Sequence, residues 1–329
     1  MKEILLRLTS HLTLEREEAR NILKKIANGE YNNSQVASFL TVFMMRMITV
    51  HELAGFRDAL LDLCLSVDLS EFDTIDLCGT GGDGKNTFNI STLSSFVVAG
   101  AGCKVAKHGN YGVSSSCGSS NILESLGYKF TNDRDILRNQ LDKANICFMH
   151  APLFHPAMKA VSPIRRELSV KTFFNMLGPM VNPSFPKNQV VGVWSLETAR
   201  LYNYIYQQTD KNFTILYSLD GYDEISLTSD FKMISNLEEE LLSPEKIGFP
   251  RLTTDELKGG STVEESVKIF LNILNGKGTV AQEAVVIVNS GVALKKLFPG
   301  KTLTECFETA KDSLNGGKAI RILNKLLEL

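Results

Sequence analysis

Gly79, Gly81, Gly82 and Gly84 crowd into six positions just after a short β-type run, Thr74 to Leu77. Glycine lets a backbone take positive φ and approach a ligand closely. Directly afterwards, Asn89-Ile-Ser-Thr92 opens an apolar stretch that reads as a helix to about Gly100, and the exposed N–H groups of a helix start favour anionic groups. A second strand, Lys104 to Ala106, ends in Lys107-His108-Gly109-Asn110 and another Ser/Gly-rich stretch. Two anion-suited loops at adjacent strand ends describe a site for a ligand with two phosphate groups. Farther on, Asp223-Glu224 follows a strand candidate and a glycine-containing turn, so both carboxylates project from a strand end. Hard oxygens of that kind suit Mg²⁺, which takes one or two carboxylates and leaves other positions to water and phosphate.

Two common nucleotide motifs are excluded. Gly79 to Lys85 fits G-x-x-x-x-G-K, but Asn86 stands where a P-loop needs a Ser or Thr hydroxyl. A dinucleotide fold wants an acid near the end of its second strand, and here that strand ends in Lys107.

The elements that must position these residues fall into two kinds. Residues 1 to about 70 read as helices only. Thr13 is a plausible N-cap for a helix stopping near Gly29, and Ser34 for the next. In that second helix Val36, Phe39, Leu40, Phe43, Met44 and Met47 build an apolar stripe suited to core or dimer packing. Thr49 and Glu52 form a capping box for a third. From Asp73 onward strand and helix patterns alternate, the signature of βαβ units and a mainly parallel sheet. The strand candidates are Thr74–Leu77, Lys104–Ala106, Ile146–Met149, Val190–Trp194, Phe213–Ser218 and Ala284–Asn289. Glu238 to Glu240 reads as a solvated loop or helix start. Glu264–Leu274 and Ile320–Leu327 read as surface helices. The expected fold class is α/β, a small all-helical domain plus a large α/β domain with a mainly parallel central sheet.

Composition sets outer limits. The 329 residues are 43% hydrophobic with a net charge of −2, enough for a substantial core and without the basic footprint of a nucleic-acid binder. The longest apolar run, Phe96 to Ala101, is far short of the ~20 residues a membrane helix needs. The amino end has no signal-peptide pattern. Cys64, Cys78, Cys103, Cys117, Cys147 and Cys306 show neither C-x-x-C nor metal spacing, which suits reduced thiols in a cytoplasmic enzyme.

G-T-G-G-D, N-I-S-T, K-H-G-N and the following V-S-S…G-S resemble the anthranilate phosphoribosyltransferases of tryptophan biosynthesis. The likeness continues through His155-Pro-Ala-Met158, Arg165-Arg166, Phe174-Asn-Met-Leu-Gly-Pro179, Asp223-Glu224 and Leu257-Lys-Gly-Gly260, spanning nearly the whole chain. It implies a helical domain of residues 1–70, joined by about 157–183, and an α/β domain of residues 71–329 that carries a phosphoribosyl pyrophosphate site. It implies donor binding by Gly79, Gly82, Asp83, Thr87, Asn89, Ile90, Ser91, Thr92, Lys107, His108, Gly109, Asn110, Ser114, Ser115 and Ser119. Anthranilate falls to Gly79, Asn110 and Arg165, with His108 and His155 shaping the aromatic pocket. Arg165 is preferred to Arg166 because consecutive helical residues point about 100° apart. Ser91 binds one Mg²⁺ in the family, and Asp223 and Glu224 are expected to hold a second. No acid or base is assigned. A homodimer is implied, with small-molecule substrates and neither nucleic acid nor membrane as partner. The competing readings are a pyrimidine nucleoside phosphorylase of the same fold and a non-catalytic nucleic-acid-binding relative. Three departures from the family pattern stand out: Tyr111 where an arginine is usual, Gly118-Ser-Ser-Asn121 for G-S-A-D, and the altered stretch at Asn289-Ser-Gly291. The first removes a charge near the phosphate loop.

Overall fold

The computed structural model describes residues 1–112 and 117–329, and the chain divides into two compact units. One comprises Met1–Val67 with Ala151–Pro183, the other Asp68–His150 with Ser184–Leu329.

The first unit is helical: α1 (Lys2–Thr9), α2 (Arg16–Ala27), α3 (Asn33–Met45) and α4 (Val50–Asp62). The Thr49–Glu52 capping box forms as its spacing predicts. The two caps before it differ from expectation. Glu15, not Thr13, precedes α2, because the Leu14 N–H is held by Glu52 Oε1 at 3.0 Å and keeps that segment extended. Asn32, not Ser34, caps α3, since Gln35 lies three residues on and completes a reciprocal box. The apolar stripe of α3 splits: Val36, Phe39, Leu40 and Phe43 are buried, whereas Met44, Met45 and Met47 are exposed. Phe173, from the returning segment, stacks on Phe56 at 4.4 Å between centroids and meets Phe39 and Phe43 edge-on. Burying such a ring contributes about 2–3 kcal/mol, which binds residues 151–183 to this unit although they are distant in sequence.

The second unit is built on a seven-stranded sheet among the described residues. In chain order its elements are β1 (Thr74–Gly79), α5 (Ile90–Gly100), β2 (Lys104–Gly109), α6 (Ser119–Ser125), α7 (Arg134–Ala144) and β3 (Ile146–His150). In the first unit α8 (Ala151–Phe154) and α9 (Met158–Leu168) intervene. Then come β4 (Asn188–Gly192), α10 (Leu196–Tyr206), β5 (Asn212–Ser218), β6 (Phe231–Ser235), β7 (Glu239–Leu242), α11 (Val263–Leu274), α12 (Val280–Leu297), α13 (Leu303–Asn315) and α14 (Lys318–Leu327). The strand order is β3-β2-β1-β4-β5-β6-β7, parallel from β3 to β5 and antiparallel beyond.

Three expectations are corrected here. Ala284–Asn289 is no strand but the middle of α12, a helix buried from Ala284 to Leu294. A helix buried on every side shows no 3.6-residue periodicity, and a short Val/Ile-rich run is then indistinguishable from a buried strand. The acidic run lies largely in β7, where Lys232 of β6 pairs with Glu239 across the ladder. The fourth strand begins at Asn188 and stops at Gly192, two residues earlier than its hydrophobic pattern suggests at each end.

Candidate active site

The loop after β1 takes its shape from three glycines at positive φ: Gly81 (+61°), Gly82 (+74°) and Gly84 (+77°). The Gly81 N–H donates to Asp223 Oδ2 at 2.7 Å, and the Thr80 N–H donates to the Gly192 carbonyl at 3.0 Å. No side chain fits at Gly79, where a Cβ would stand 2.4 Å from Asp223 Oδ2. Asp83 Oδ1 accepts the Lys85 N–H at 3.0 Å, and the Lys85 ammonium lies 4.6 Å from the centre of the Tyr222 ring. The far end of the loop is docked on Leu257–Gly260. Thr87 bridges Lys258, the Asn86 carbonyl accepts the Gly259 N–H at 2.8 Å, and the Asn86 amide donates to the Gly260 carbonyl at 3.2 Å. Asn86, which breaks the P-loop pattern, thus serves as the peg of this dock.

At the start of α5, Asn89 makes no capping bond; its amide donates to the Cys117 carbonyl at 3.0 Å. Ile90 and Thr92 are buried, leaving their first-turn main-chain N–H groups as what this turn can offer an anion. The Ser91 hydroxyl lies 3.4 Å from Lys107 Nζ, and the Ser91 main-chain N–H weakly opposes the upward shift of the Glu224 carboxyl.

Lys107 and His108 lie inside β2 rather than after it. Lys107 is 2% exposed and donates to the Leu77 carbonyl at 2.5 Å. Burial pulls its ammonium below the ordinary value, while Asp76, Cys78 and Glu224 pull it back up. Asp76 is wholly buried; its Oδ1 accepts the His108 N–H at 3.3 Å and its Oδ2 accepts the Gln189 amide at 3.2 Å. Gln189 in turn accepts the Tyr206 hydroxyl at 2.8 Å.

Beyond β2, the Asn110 carbonyl accepts the Ser120 N–H at 3.1 Å and the Ser119 hydroxyl at 3.3 Å, and Asn110 Oδ1 accepts the Tyr111 N–H at 2.8 Å. At Gly109 a Cβ would meet Ser119 Oγ at 2.3 Å and the Phe148 ring at 2.7 Å. Two departures from the family pattern acquire positions here. Tyr111 turns its hydroxyl to Glu124 at 3.0 Å and sets its ring edge-on to His150. Asn121 Oδ1 accepts both the Gly112 and Gly118 N–H groups, at 3.0 and 2.9 Å. Ser114 and Ser115 lie outside the described residues.

Asp223 and Glu224 stand in the β5–β6 connection, facing the first glycine loop and the start of α5. Desolvation, with the Asp83 charge beside it, pushes the Asp223 carboxyl up to about 7. The Asp83 side chain also raises Asp223 through a weaker side-chain interaction, while the Gly81 N–H opposes the rise. Desolvation and then the charge of Asp223 drive Glu224 well above its ordinary value, with Lys107 opposing. Among the described residues, no group of three or more His, Cys, Asp and Glu could hold a metal ion by itself. The Asp223 and Glu224 carboxylates and the Ser91 hydroxyl nevertheless form an all-oxygen donor set. That set fits Mg²⁺ completed by water and phosphate oxygens.

The remaining predicted residues belong to the helical unit. On α9, Arg165 donates to Asn175 Oδ1 at 3.3 Å and lies over the Phe174 ring, and burial lowers its pKa; Arg166 is exposed. His155 is 3% exposed.

Sequence reasoning missed several residues that hold this arrangement. Gly192 ends β4, where a Cβ would fall 1.4 Å from the Asp223 carbonyl oxygen. Asp76 sits in T-I-D-L, and an acid in an otherwise apolar buried strand was the available signal. Nothing local in the sequence marks Gln189, Ser218 or Asn86.

A helical unit and an α/β unit joined by three chain crossings, with phosphate-suited loops at strand ends, define a class, and known proteins of similar sequence and structure belong to it. Residues 2–64 match the helical bundle domain of the glycosyl transferase family and residues 71–320 its a/b domain. Anthranilate phosphoribosyltransferase from Flavobacterium psychrophilum is 61% identical over 329 residues, covering 100% of this chain and 99% of the relative. The enzyme of the same name from Bacteroides thetaiotaomicron is 54% identical at the same coverage. Among solved structures, the anthranilate phosphoribosyltransferase of Thermus thermophilus superposes with a TM-score of 0.91 at 29% identity, covering 98% of both chains. That of Saccharomyces cerevisiae, in complex with PRPP and Mg, gives 0.90 at 26% identity, covering 100% of this chain and 98% of the other. The chain belongs to the anthranilate phosphoribosyltransferase family.

Proposed function

We propose that this protein transfers the 5-phosphoribosyl group of phosphoribosyl pyrophosphate to the amine of anthranilate, giving N-(5-phosphoribosyl)anthranilate and pyrophosphate in tryptophan biosynthesis. The observation that carries the reading is the meeting of three elements: the glycine loop after β1, the Ser91 turn with Lys107, and the Asp223–Glu224 pair.

The chemistry asks for little acid or base catalysis. An aryl amine is neutral at pH 7, so its lone pair attacks the anomeric carbon directly. The C–N bond forms as the C–O bond to pyrophosphate breaks, and the amine then releases a proton. Charge and placement carry the barrier reduction. Gly79, Gly82 and Asp83 line the diphosphate and ribose, largely through main-chain N–H groups, with Thr87 at the loop's docked end. The turn from Asn89 to Thr92 and the strand end from Lys107 to Asn110 face the phosphates, with Ser114, Ser115 and Ser119 completing the second loop. Ser91 would hold one Mg²⁺, and Asp223 and Glu224 would hold a second. When bound, Mg²⁺ neutralises charge on the leaving diphosphate. Arg165 pairs bidentately with the anthranilate carboxylate. Asn110 and the Gly79 main chain orient the amine, with His108 and His155 beside the ring.

The enzyme acts in the cytoplasm as a homodimer, a state supported by the exposed Met44, Met45 and Met47 of the helical unit. No helix among the described residues is long and apolar enough to cross a membrane.

A fluorescence assay of anthranilate consumption tests the function: loss of anthranilate signal requires both donor and Mg²⁺, and no consumption under those conditions refutes it. Two variants test the assignments. Arg165→Ala is expected to raise KM for anthranilate about tenfold or more while changing the donor KM little; an equal effect on both substrates contradicts the carboxylate role. Gly259→Ala places a Cβ 2.6 Å from the Thr87 carbonyl oxygen and pushes the glycine loop off its dock. It is expected to raise the donor KM by about tenfold with little change for anthranilate, since small misplacements of binding groups weaken reaction steeply.

A further inference from the structure

Asn289 belongs to the stretch where this chain departs from the family pattern. It lies on α12 and is 3% exposed. Its Oδ1 accepts the Ile225 N–H at 3.0 Å, and its amide nitrogen donates to the Ile225 carbonyl at 2.9 Å and to the Val285 carbonyl at 2.9 Å. One amide engaging both main-chain groups of a single residue reproduces the pairing of a β-ladder, and so fixes the peptide planes on either side of Ile225. One of those planes joins Ile225 to Glu224.

The same short segment is held from the sheet as well. Ser218 Oγ, on β5, donates to the Glu224 carbonyl at 2.6 Å and accepts the Ser226 N–H at 3.3 Å. The Asp223 main chain fills the space that the missing Cβ of Gly192 leaves open. Immediately beyond, the buried Leu227 takes φ of +61°, a conformation unfavourable for a branched side chain unless its surroundings impose it.

We infer that Asn289, assisted by Ser218, is a positioning residue that clamps the main chain of Glu224–Ser226 and so aims the Asp223–Glu224 carboxylates at their Mg²⁺. The clamp acts from α12 on one side and from β5 on the other. The inference rests on the reading of Asp223 and Glu224 as metal-holding residues, and the test separates the two.

The experiment titrates Mg²⁺ in the presence of inorganic pyrophosphate and follows the thermal midpoint, alongside steady-state kinetics of the same proteins. Asn289→Ala is expected to raise the Mg²⁺ concentration for half-maximal stabilisation about tenfold, as loss of outer-shell support does at metal sites, with KM for anthranilate changed less than about twofold. Ser218→Ala removes a smaller group on the other side and is expected to shift the Mg²⁺ midpoint in the same direction by about threefold, which keeps the test open should Asn289→Ala fail to fold. Ser290→Ala is the control. Ser290 is equally buried on α12, but its hydroxyl bonds to the Val286 carbonyl, so it should lower the metal-free melting temperature without moving the Mg²⁺ midpoint. Unchanged Mg²⁺ midpoints in Asn289→Ala and Ser218→Ala, with the response lost in Asp223→Asn, would overturn the clamp and leave the metal reading standing. A full Mg²⁺ response in Asp223→Asn would remove both.

Discussion

Replacing Asp223 and Glu224 together with alanine is expected to abolish Mg²⁺-dependent turnover, lowering kcat/KM by about a thousandfold or more while the fold persists. The magnitude follows from electrostatics. Groups arranged about a developing charge in a water-poor site are individually worth about a hundred- to a thousandfold in rate. The fold persists because the pair contributes strain rather than stability in the absence of a cation. Desolvation and the charge of Asp83 hold the Asp223 carboxyl at about 7, far above its ordinary range. In the unfolded chain that group loses its proton near 4. Between those values the folded protein binds a proton that the unfolded chain lacks, so this group's contribution to stability falls as pH rises, from near 4 up to about 7.

Metal-free protein is therefore expected to melt at a lower temperature at pH 8 than at pH 6 through this group. Asp223→Asn should flatten that slope and melt higher than the parent at pH 8. Mg²⁺ with pyrophosphate should stabilise the parent more at pH 8 than at pH 6, because a carboxylate must shed its proton to bind a cation; the apparent affinity gains up to about tenfold per pH unit below 7. Differential scanning fluorimetry across that range reads all three effects. A metal-free melting temperature that rises from pH 6 to pH 8 in the parent alone, relative to Asp223→Asn, would contradict the assigned burial of charge.

Gly192→Ala is expected to lower kcat/KM by about a hundredfold, with the Mg²⁺ requirement shifted to higher concentration. The added methyl would overlap the Asp223 main chain, since it falls 1.4 Å from that carbonyl oxygen. Backbone cannot swing aside as a side chain does, so either β4 or the acidic segment must move. β4 is held in register between β1 and β5 over its whole length. The displacement therefore falls on Asp223, whose carboxylate also receives the Gly81 N–H. Gly300→Ala, where a Cβ meets nothing within 4 Å, is the matched control and should leave kinetics unchanged. Near-parental kinetics in Gly192→Ala would show that the acidic segment does not depend on this contact.

Gly192 also shows where the sequence stopped being legible. Gly192 sits in the middle of V-V-G-V-W, inside the strand read as Val190–Trp194, and its partner Asp223 lies thirty-one positions away with no local pattern linking them. The glycine loop after β1, by contrast, was legible because its requirement is local: positive φ at Gly81, Gly82 and Gly84 is a property of the turn itself. The Thr49–Glu52 box was legible for the same reason, since both partners lie within one turn. Asn32 outcompeted Ser34 for a comparable cap because Gln35 supplies the reciprocal bond to Asn32 and no equivalent bond rewards a start two residues later. Ala284–Asn289 failed as a strand because complete burial erases the periodicity that separates helix from strand. β6 and β7 escaped notice since an edge hairpin bearing Lys232, Glu239 and Glu240 resembles a solvated loop until pairing is known. Asn89 was legible as a helix opener but not as the residue that reaches Cys117. Tertiary partners, not residue types, decided the outcomes at Gly192, Ala284–Asn289, the β6–β7 hairpin and Asn89.

The most direct test is a crystal structure of the protein soaked with phosphoribosyl pyrophosphate and Mg²⁺. The diphosphate is expected against the main chain of Gly79–Asp83 and the Ser91 turn, with metal density at Ser91 and at Asp223–Glu224. A sugar diphosphate bound away from these elements, or metal that avoids both acids, would contradict the account.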